Sequence, residues 1–552
     1  MKEKFLISVL FPMISSVLSV IASLCLYVNL AKEAMGSWQY VNSLVLLGLL
    51  FVTIGLESMH YQYSTKEDFD QYFMNYLFMK VILIVFNVTI SIIIFAIIGF
   101  LNSEFAFILV NLLIWRILVQ FRNILRLNLQ TKFKFIKLEI IALFYTSAFN
   151  IVIIIFSFNI DKFIYPLESL SLVNLISEIF IVLLLLLFSL KNIKFVKPSK
   201  KIIYSYLKDG KSLYLVFILL TLTQNLGNVL LYQIHGGDPL AEFYLVYTIT
   251  FTILASFSLT IRPIYYTLYA RYFKENDIQS IKNTTHTIER YSSIVYLGII
   301  ALVILNGELV LSILMPNYTE AYPIFCIMIF VPYFLGLARP YQSLLIPGKK
   351  QTYDAIVETL VQIMTLFLII FLLPEFGKIG YTLSLTIPTI FQFMLSMYLS
   401  TKFFKIKGQK SMLLVVLPAL SAFLVMFLVK TFFSYLIEID ILMIIITSGL
   451  LIGTYLFSLY LSNKFVKIRK QKIIIIIFLT ASTIFLMILI SRLILLHLIQ
   501  KEILVFILTS GLLLGLYLLF LYFLGLIKSD DFRLLKELLR LKNYVRSLKE
   551  EL

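Results

Sequence analysis

The residues best suited to chemistry in this chain lie inside its apolar runs. Arg116, Gln120 and Asn123 recur at helical spacing in one run. Thr221, Gln224, Asn225, Asn228 and Tyr232 stripe another, and Ser258, Arg262, Tyr265 and Tyr269 the next. Pro332, Gly336, Arg339 and Ser343 are followed one run later by Asp354, Glu358, Gln362 and Thr365, while Glu178 stands alone among leucines and isoleucines. The first run carries Pro12, Ser15, Ser19 and Ser23 along one face. Ionisable groups at membrane depth are costly, and they face a protein interior or a hydrated cavity. A guanidinium presents a planar fork of donors that fits phosphate or carboxylate and keeps its proton. A carboxylate at such depth can hold a cation or a proton, and two close together push one pKa upward. Arg116, Arg262, Arg339 and Arg122 are therefore anion-binding candidates, Gln120, Asn225 and Asn228 polar lining, and Glu358 and Glu178 ion-coupling candidates. Plainer roles are also open to them. Arg262 and Arg122 reach cytoplasmic headgroups, Arg339 pairs with Asp354 or Glu358, and Asp354 sits beside Lys349 and Lys350 at a helix end.

No catalytic constellation accompanies these stripes. His60, His235, His286 and His497 fall in different loops, and Cys25 and Cys326 both lie within apolar runs. The sequence contains no H-E-x-x-H, no P-loop and no G-x-G-x-x-G opening a helix. The expectation is a non-enzyme without metal or cofactor. The outside loops, about 15 residues or shorter on this reading, leave no room for the long loops of membrane glycosyltransferases.

The elements that position the stripes follow from composition. Hydrophobic residues make up 60% of the chain, charged residues 14%, and the mean hydropathy is +0.96. A soluble domain has roughly 25% charged residues, so this is a polytopic membrane protein. The run from Leu6 extends past the length of a signal-peptide core and lacks a small-residue cleavage site, and it reads as a first transmembrane helix. The formal charge of +17 is not a nucleic-acid footprint. Lysines and arginines crowd alternate loops, such as 191–211, 271–290, 402–410 and 464–472, with about 37 on one side and about 5 on the other. Both termini are placed in the cytoplasm, in a cell membrane crossed many times.

Apolar runs give about sixteen spans at the length a bilayer requires. They divide into a six-helix bundle at 1–190, a basic cytoplasmic linker at 191–211, a second six-helix bundle at 212–402, and a terminal hairpin at 403–466. A further hairpin at 467–527 duplicates the first: Thr447–Leu456 and Thr509–Leu518 are nearly the same sequence. A tail at 528–552 is opened by Ser529-Asp530-Asp531 and carries Leu534, Leu538, Leu541, Val545 and Leu548 at helical spacing. It reads as an amphipathic helix at the cytoplasmic interface. The two bundles begin alike, Glu33–Trp38 after the first span and Asp238–Phe243 after the seventh, which is the pattern of a parallel repeat.

The punctuation between spans carries a resemblance. Tyr232–Tyr244, Arg262–Phe273, Gly307–Ile324, Ile346–Gln351 and Leu373–Gly380, with Ala31–Tyr40 in the first half, resemble in order and spacing the polysaccharide-transporter family. This is the O-antigen flippase-like branch of the multidrug/oligosaccharidyl-lipid/polysaccharide exporter superfamily. The resemblance covers about residues 1–465. It implies an all-α fold of two bundles around a central cavity, and translocation of a polyprenyl-linked oligosaccharide by alternating access. The phosphate or diphosphate is the charge common to such substrates, so the resemblance points the arginines at it. Expected partners are that lipid-linked saccharide, membrane lipids and polysaccharide assembly proteins. Three rival functions are a multidrug exporter, a lipid II-type peptidoglycan-precursor flippase and a non-transporting scaffold of a polysaccharide assembly complex. Two departures from the family pattern disfavour ion-coupled drug export. Asn225-Leu226-Gly227-Asn228 stands where many relatives carry an Asp, and the first span has Ser and Pro where drug exporters often have an acidic residue.

Overall fold

The computed structural model describes residues 18–53, 55–63, 69–100, 103–131, 135–189, 196–255 and 268–406, with residues 15 and 265. Arg262, the terminal hairpins and the tail lie outside the described residues. Among the described residues the fold is helical and contains no strand.

The first half comprises α1 (Leu18–Asn29), α2 (Lys32–Gly48), α3 (Leu56–Tyr63), α4 (Phe69–Ile97), α5 (Ala106–Thr131), α6 (Phe135–Phe158) and α7 (Pro166–Ser189). The second comprises α8 (Lys200–His235), α9 (Gly237–Tyr247), α10 (Ile278–Leu314), α11 (Tyr322–Met328), α12 (Phe330–Gln342) and α13 (Gln351–Phe404). Within α13 the backbone kinks at Gly377, where φ is 53°, so two antiparallel arms fold back on each other. Tyr353 meets Phe403 at 4.7 Å between ring centroids near the far ends of those arms. Among the described residues, six helical segments are long and apolar enough to cross a membrane, including Asp70–Ile97, Pro166–Leu187 and Tyr214–His235. Their outward faces expose apolar side chains such as Ile97, Leu187 and Phe367, as lipid contact requires.

Two elements differ from the hydropathy reading. The second apolar run, which by hydropathy alone reads as one span over about residues 40–58, is helical from Lys32 and breaks after Gly48 into a short 3-10 turn, Leu50–Thr53, before α3 resumes. Residues 44–56 are apolar but for Thr53, and hydropathy does not register a backbone break. The basic segment before the seventh span is helical from Lys200 and continues into that span without interruption, so α8 is 36 residues long. At 1.5 Å per residue it reaches about 54 Å, against a hydrocarbon core of about 30 Å. Its first turns hold Lys200, Lys201, Lys208 and Lys211. They dock on the first half: Asn75 Oδ1 accepts from Ser199 N–H at 2.7 Å, and the buried Tyr206 hydroxyl meets His60 Nδ1 at 2.8 Å.

The halves meet closely at the other end. α2 packs against α8 and α9. A Cβ on Gly36 would stand 2.0 Å from the carbonyl oxygen of Gly237. Only a residue without a side chain lets the two backbones cross there.

Candidate functional site

Most of the candidates named from sequence fall, among the described residues, into three groups of polar side chains between the helices. The first lies among α2, α5 and α7. Asn42 projects from α2, and its Oδ1 accepts from Arg116 Nη2 at 2.7 Å and from Nε at 3.2 Å. The guanidinium also lies 4.3 Å from the centre of the Trp115 ring. Tyr244 of α9, Arg122 and Glu178 are close enough to contribute to its electrostatic surroundings. Among the described residues Arg116 makes no ion pair with a carboxylate; an amide oxygen and an indole face hold it instead. A face-on cation–π contact is worth about 0.5–2 kcal/mol, depending on desolvation. Placing an arginine at mid-membrane depth costs about 2.5–3.5 kcal/mol or more. Hydrogen bonds to a charged group are worth about 1.5–3 kcal/mol, so Asn42 and Trp115 together offset a placement cost of about that lower size. One and a half turns on, Arg122 Nη1 is 3.0 Å from Glu178 Oε2 of α7, and Gln120, between the two arginines in sequence, is buried. Asn111 ties α5 to α7 through Ser171 Oγ at 3.0 Å.

The second group is built by α12 and both arms of α13. Arg339 Nη1 donates to Glu358 Oε1 at 3.0 Å and to Gln342 Oε1 at 2.9 Å. Gln342 Nε2 donates to the same carboxylate oxygen at 2.7 Å, and Gln392 Nε2 at 3.2 Å. One carboxylate oxygen thus accepts from α12 and from the opposite arm of α13, and a guanidinium balances its charge.

The third group joins the halves along α8. Asn228 Nδ2 donates to Ser43 Oγ of α2 at 2.9 Å, and Asn228 Oδ1 accepts from Tyr381 at 3.1 Å. Thr223 donates to Gln362 at 2.7 Å. Asn225 turns its amide back to Thr221 O of its own helix at 2.7 Å. Toward Gly36 the contact tightens. Tyr40 stacks on Tyr232 at 4.1 Å and 12°, and Ser37 Oγ lies 3.0 Å from the Tyr232 hydroxyl. Glu242, 1% exposed, is gripped on one oxygen by Lys32 of the first half and on the other by Lys378 of the second.

The stripes read from sequence thus fall into groups as follows. Arg116, Gln120, Arg122 and Glu178 belong to one group, and Arg339 and Glu358 to another. Asn228 bridges the halves, and Asn225 makes a local contact. Arg122 is held by Glu178 instead of reaching to headgroups, and Arg339 pairs with Glu358, one of the two carboxylates its spacing suggests. Sequence reasoning misses Asn42, Lys80, Glu57 and the triad Lys32–Glu242–Lys378. Lys80 carries a signal in its own surroundings, an ammonium within a run of valine, isoleucine and leucine. Asn42 and Glu242 give no such signal, because their partners are far away in sequence.

No family model matches the chain, and no curated protein matches it. Solved structures do. The lipid II flippase MurJ in an inward closed conformation superposes with a TM-score of 0.66 at 14% identity, covering 83% of this chain and 98% of that one. An inward-facing multidrug resistance MATE family transporter of the MOP superfamily gives 0.56 at 13%, covering 73% and 99%. A MOP superfamily transporter from Pyrococcus furiosus, described by a binding pocket of reversed polarity, gives 0.51 at 13%, covering 73% and 95%. At this identity the likeness establishes the fold.

Proposed function

We propose that this chain, with the fold of the MOP-superfamily transporters, is a flippase. It moves a polyprenyl-(di)phosphate-linked oligosaccharide across the cell membrane for cell-surface polysaccharide biosynthesis. The observation that carries the reading is Arg116: a guanidinium held by the Asn42 amide oxygen of α2 and the Trp115 ring, with the nearby carboxylate, Glu178, already paired to Arg122. A phosphate brought into that space completes its fork.

The other arginines enter by exchange. Arg122 and Arg339 start on Glu178 and Glu358. A substrate phosphate competes with each carboxylate for the same guanidinium, and a carboxylate so released is an anion in need of a proton or a cation. The substrate role of the arginines and the ion-coupling role of the acids then become two ends of one step.

By the distribution of basic loops, the end closed by Gly36, Tyr40 and Glu242 is the outer one. The arrangement is then closed outside, ready to receive a headgroup from the cytoplasm while the polyprenyl tail stays in lipid. Transport requires only that the substrate bind the two end states differently. A second reading, translocation of lipid II or a similar peptidoglycan precursor, is supported by the higher fold similarity to MurJ than to the drug exporters. Complementation separates them. Expression of the chain is tested in a strain lacking its polysaccharide flippase and in one depleted of its lipid II flippase. Restored surface polysaccharide alone supports the first reading, restored growth in the depleted strain supports the second, and failure in both refutes both.

A further inference from the structure

The break in the second transmembrane helix is furnished by one face of α4. Interrupting a helix within the bilayer frees main-chain groups that no water reaches, and they must be satisfied from within the protein. Ser91 Oγ donates to Gly48 O at 2.7 Å, and Asn87 Oδ1 accepts from Phe51 N–H at 3.1 Å. Lys80 Nζ donates to Val52 O at 2.6 Å. Lys80, Asn87 and Ser91 lie at helical spacing on α4. Gly55, at φ 77°, makes the turn into α3, and a Cβ there would meet the Phe217 ring of α8 at 2.3 Å.

Lys80 differs from the other two in carrying a charge. It is fully buried, and its Nζ is also 2.5 Å from Glu57 Oε1, just after the break. A carbonyl freed at the end of a half-helix, beside a carboxylate, forms the donor set by which discontinuous transmembrane helices hold monovalent cations. Here an ammonium belonging to the chain occupies that place. Neutral side chains suffice at Gly48 and Phe51. At Val52 the neighbouring Glu57, its side chain 30% exposed, makes a cation the fitting partner, because removing the ammonium would leave a partly buried anion and a bare carbonyl together.

We propose that Lys80 Nζ fills a monovalent-cation site at the break of the second helix, so that the break is held without an ion from solution. Deleting the side chain uncovers a site for a small monovalent cation. The assignment concerns the helix itself and is independent of the substrate.

The test is thermal unfolding of the purified full chain at constant ionic strength in choline, sodium, potassium or methylammonium chloride. Choline is too large for the site. The native protein is expected to melt at one temperature in all four. Lys80→Ala is expected to melt several degrees lower in choline. It should recover roughly 2 °C when methylammonium or an alkali cation reaches a hundredfold excess over its dissociation constant. Lys80→Met fills the space with an uncharged chain and should stay low and flat, as should Lys80→Ala combined with Glu57→Gln. The assignment is overturned if Lys80→Ala is as stable in choline as the native protein, if no cation raises it, or if Lys80→Met rises equally. If Lys80→Ala is recovered folded only when methylammonium is present throughout preparation, that is the same positive result. Failure to fold even then overturns it.

Discussion

Arg116 and His60 offer the sharpest tests among single residues. Hydrogen bonds to charged groups are worth about 1.5–3 kcal/mol, so losing the guanidinium should weaken substrate binding about ten- to hundredfold. Arg116→Ala is expected to abolish complementation at normal membrane levels, and Arg116→Lys to restore only part, because an ammonium lacks the planar fork. Normal transport by Arg116→Ala would refute the phosphate assignment. His60 of α3 is buried, stacks on Tyr76 at 4.8 Å and meets the Tyr206 hydroxyl of α8 at 2.8 Å. His60→Phe keeps the stacking and loses the hydrogen bond, and it should lower the stability to unfolding by about 1–3 kcal/mol; an unchanged thermal midpoint would contradict it. The stripe containing Arg116 is legible because a charged residue in an apolar run is conspicuous. Its partner Asn42 is not, since a lone Asn in a helix has many ordinary explanations.

Among the elements, the crossing of α2 and α9 is where the proposed outside closure can be tested. Glu242→Gln removes the charge that Lys32 and Lys378 share from opposite halves. In a background of Cys25→Ser and Cys326→Ala, a cysteine replacing the buried Ser43 should react several-fold faster with a membrane-impermeant thiol reagent once Glu242→Gln is added. No change in rate would show that the triad does not bias the closure. Gly36→Val places atoms where the Gly237 carbonyl stands. It is expected to insert normally, fail in transport and leave Ser43→Cys accessible; normal transport would mean the crossing is not needed in the cycle. The helices themselves are readable from hydropathy, because spanning a bilayer demands long apolar runs. The break after Gly48 is not. It is specified by Lys80, Asn87 and Ser91 on another helix, and by Gly55, which is unremarkable by itself in a loop-adjacent position.

For the whole molecule, the proposed orientation rests on the charge distribution of the loops. Reporters fused after Ser205 or Asn276 are expected to remain cytoplasmic, and those after Gly236 or Asn317 to lie outside; one well-expressed fusion on the wrong side, checked by cysteine labelling, would reverse the outer assignment of the Gly36 crossing. The class of fold is readable from composition and span punctuation, whereas the joining of α8 to its basic preamble is not, because a helix that leaves the membrane without a break shows no boundary in either segment. That long rod has a mechanical consequence. One tip of α8 is fastened to α3 and α4 through Tyr206 and Ser199, and the other meets α2 at Tyr232 and the Gly236 turn. A stiff bar held at both tips behaves as a seesaw: prising open one tip loads the other. An antibody fragment clamped on Lys200–Lys211 would then act as a brake on events some fifty ångströms away along the helix, roughly the rod's length at 1.5 Å per residue, without touching the arginines at all.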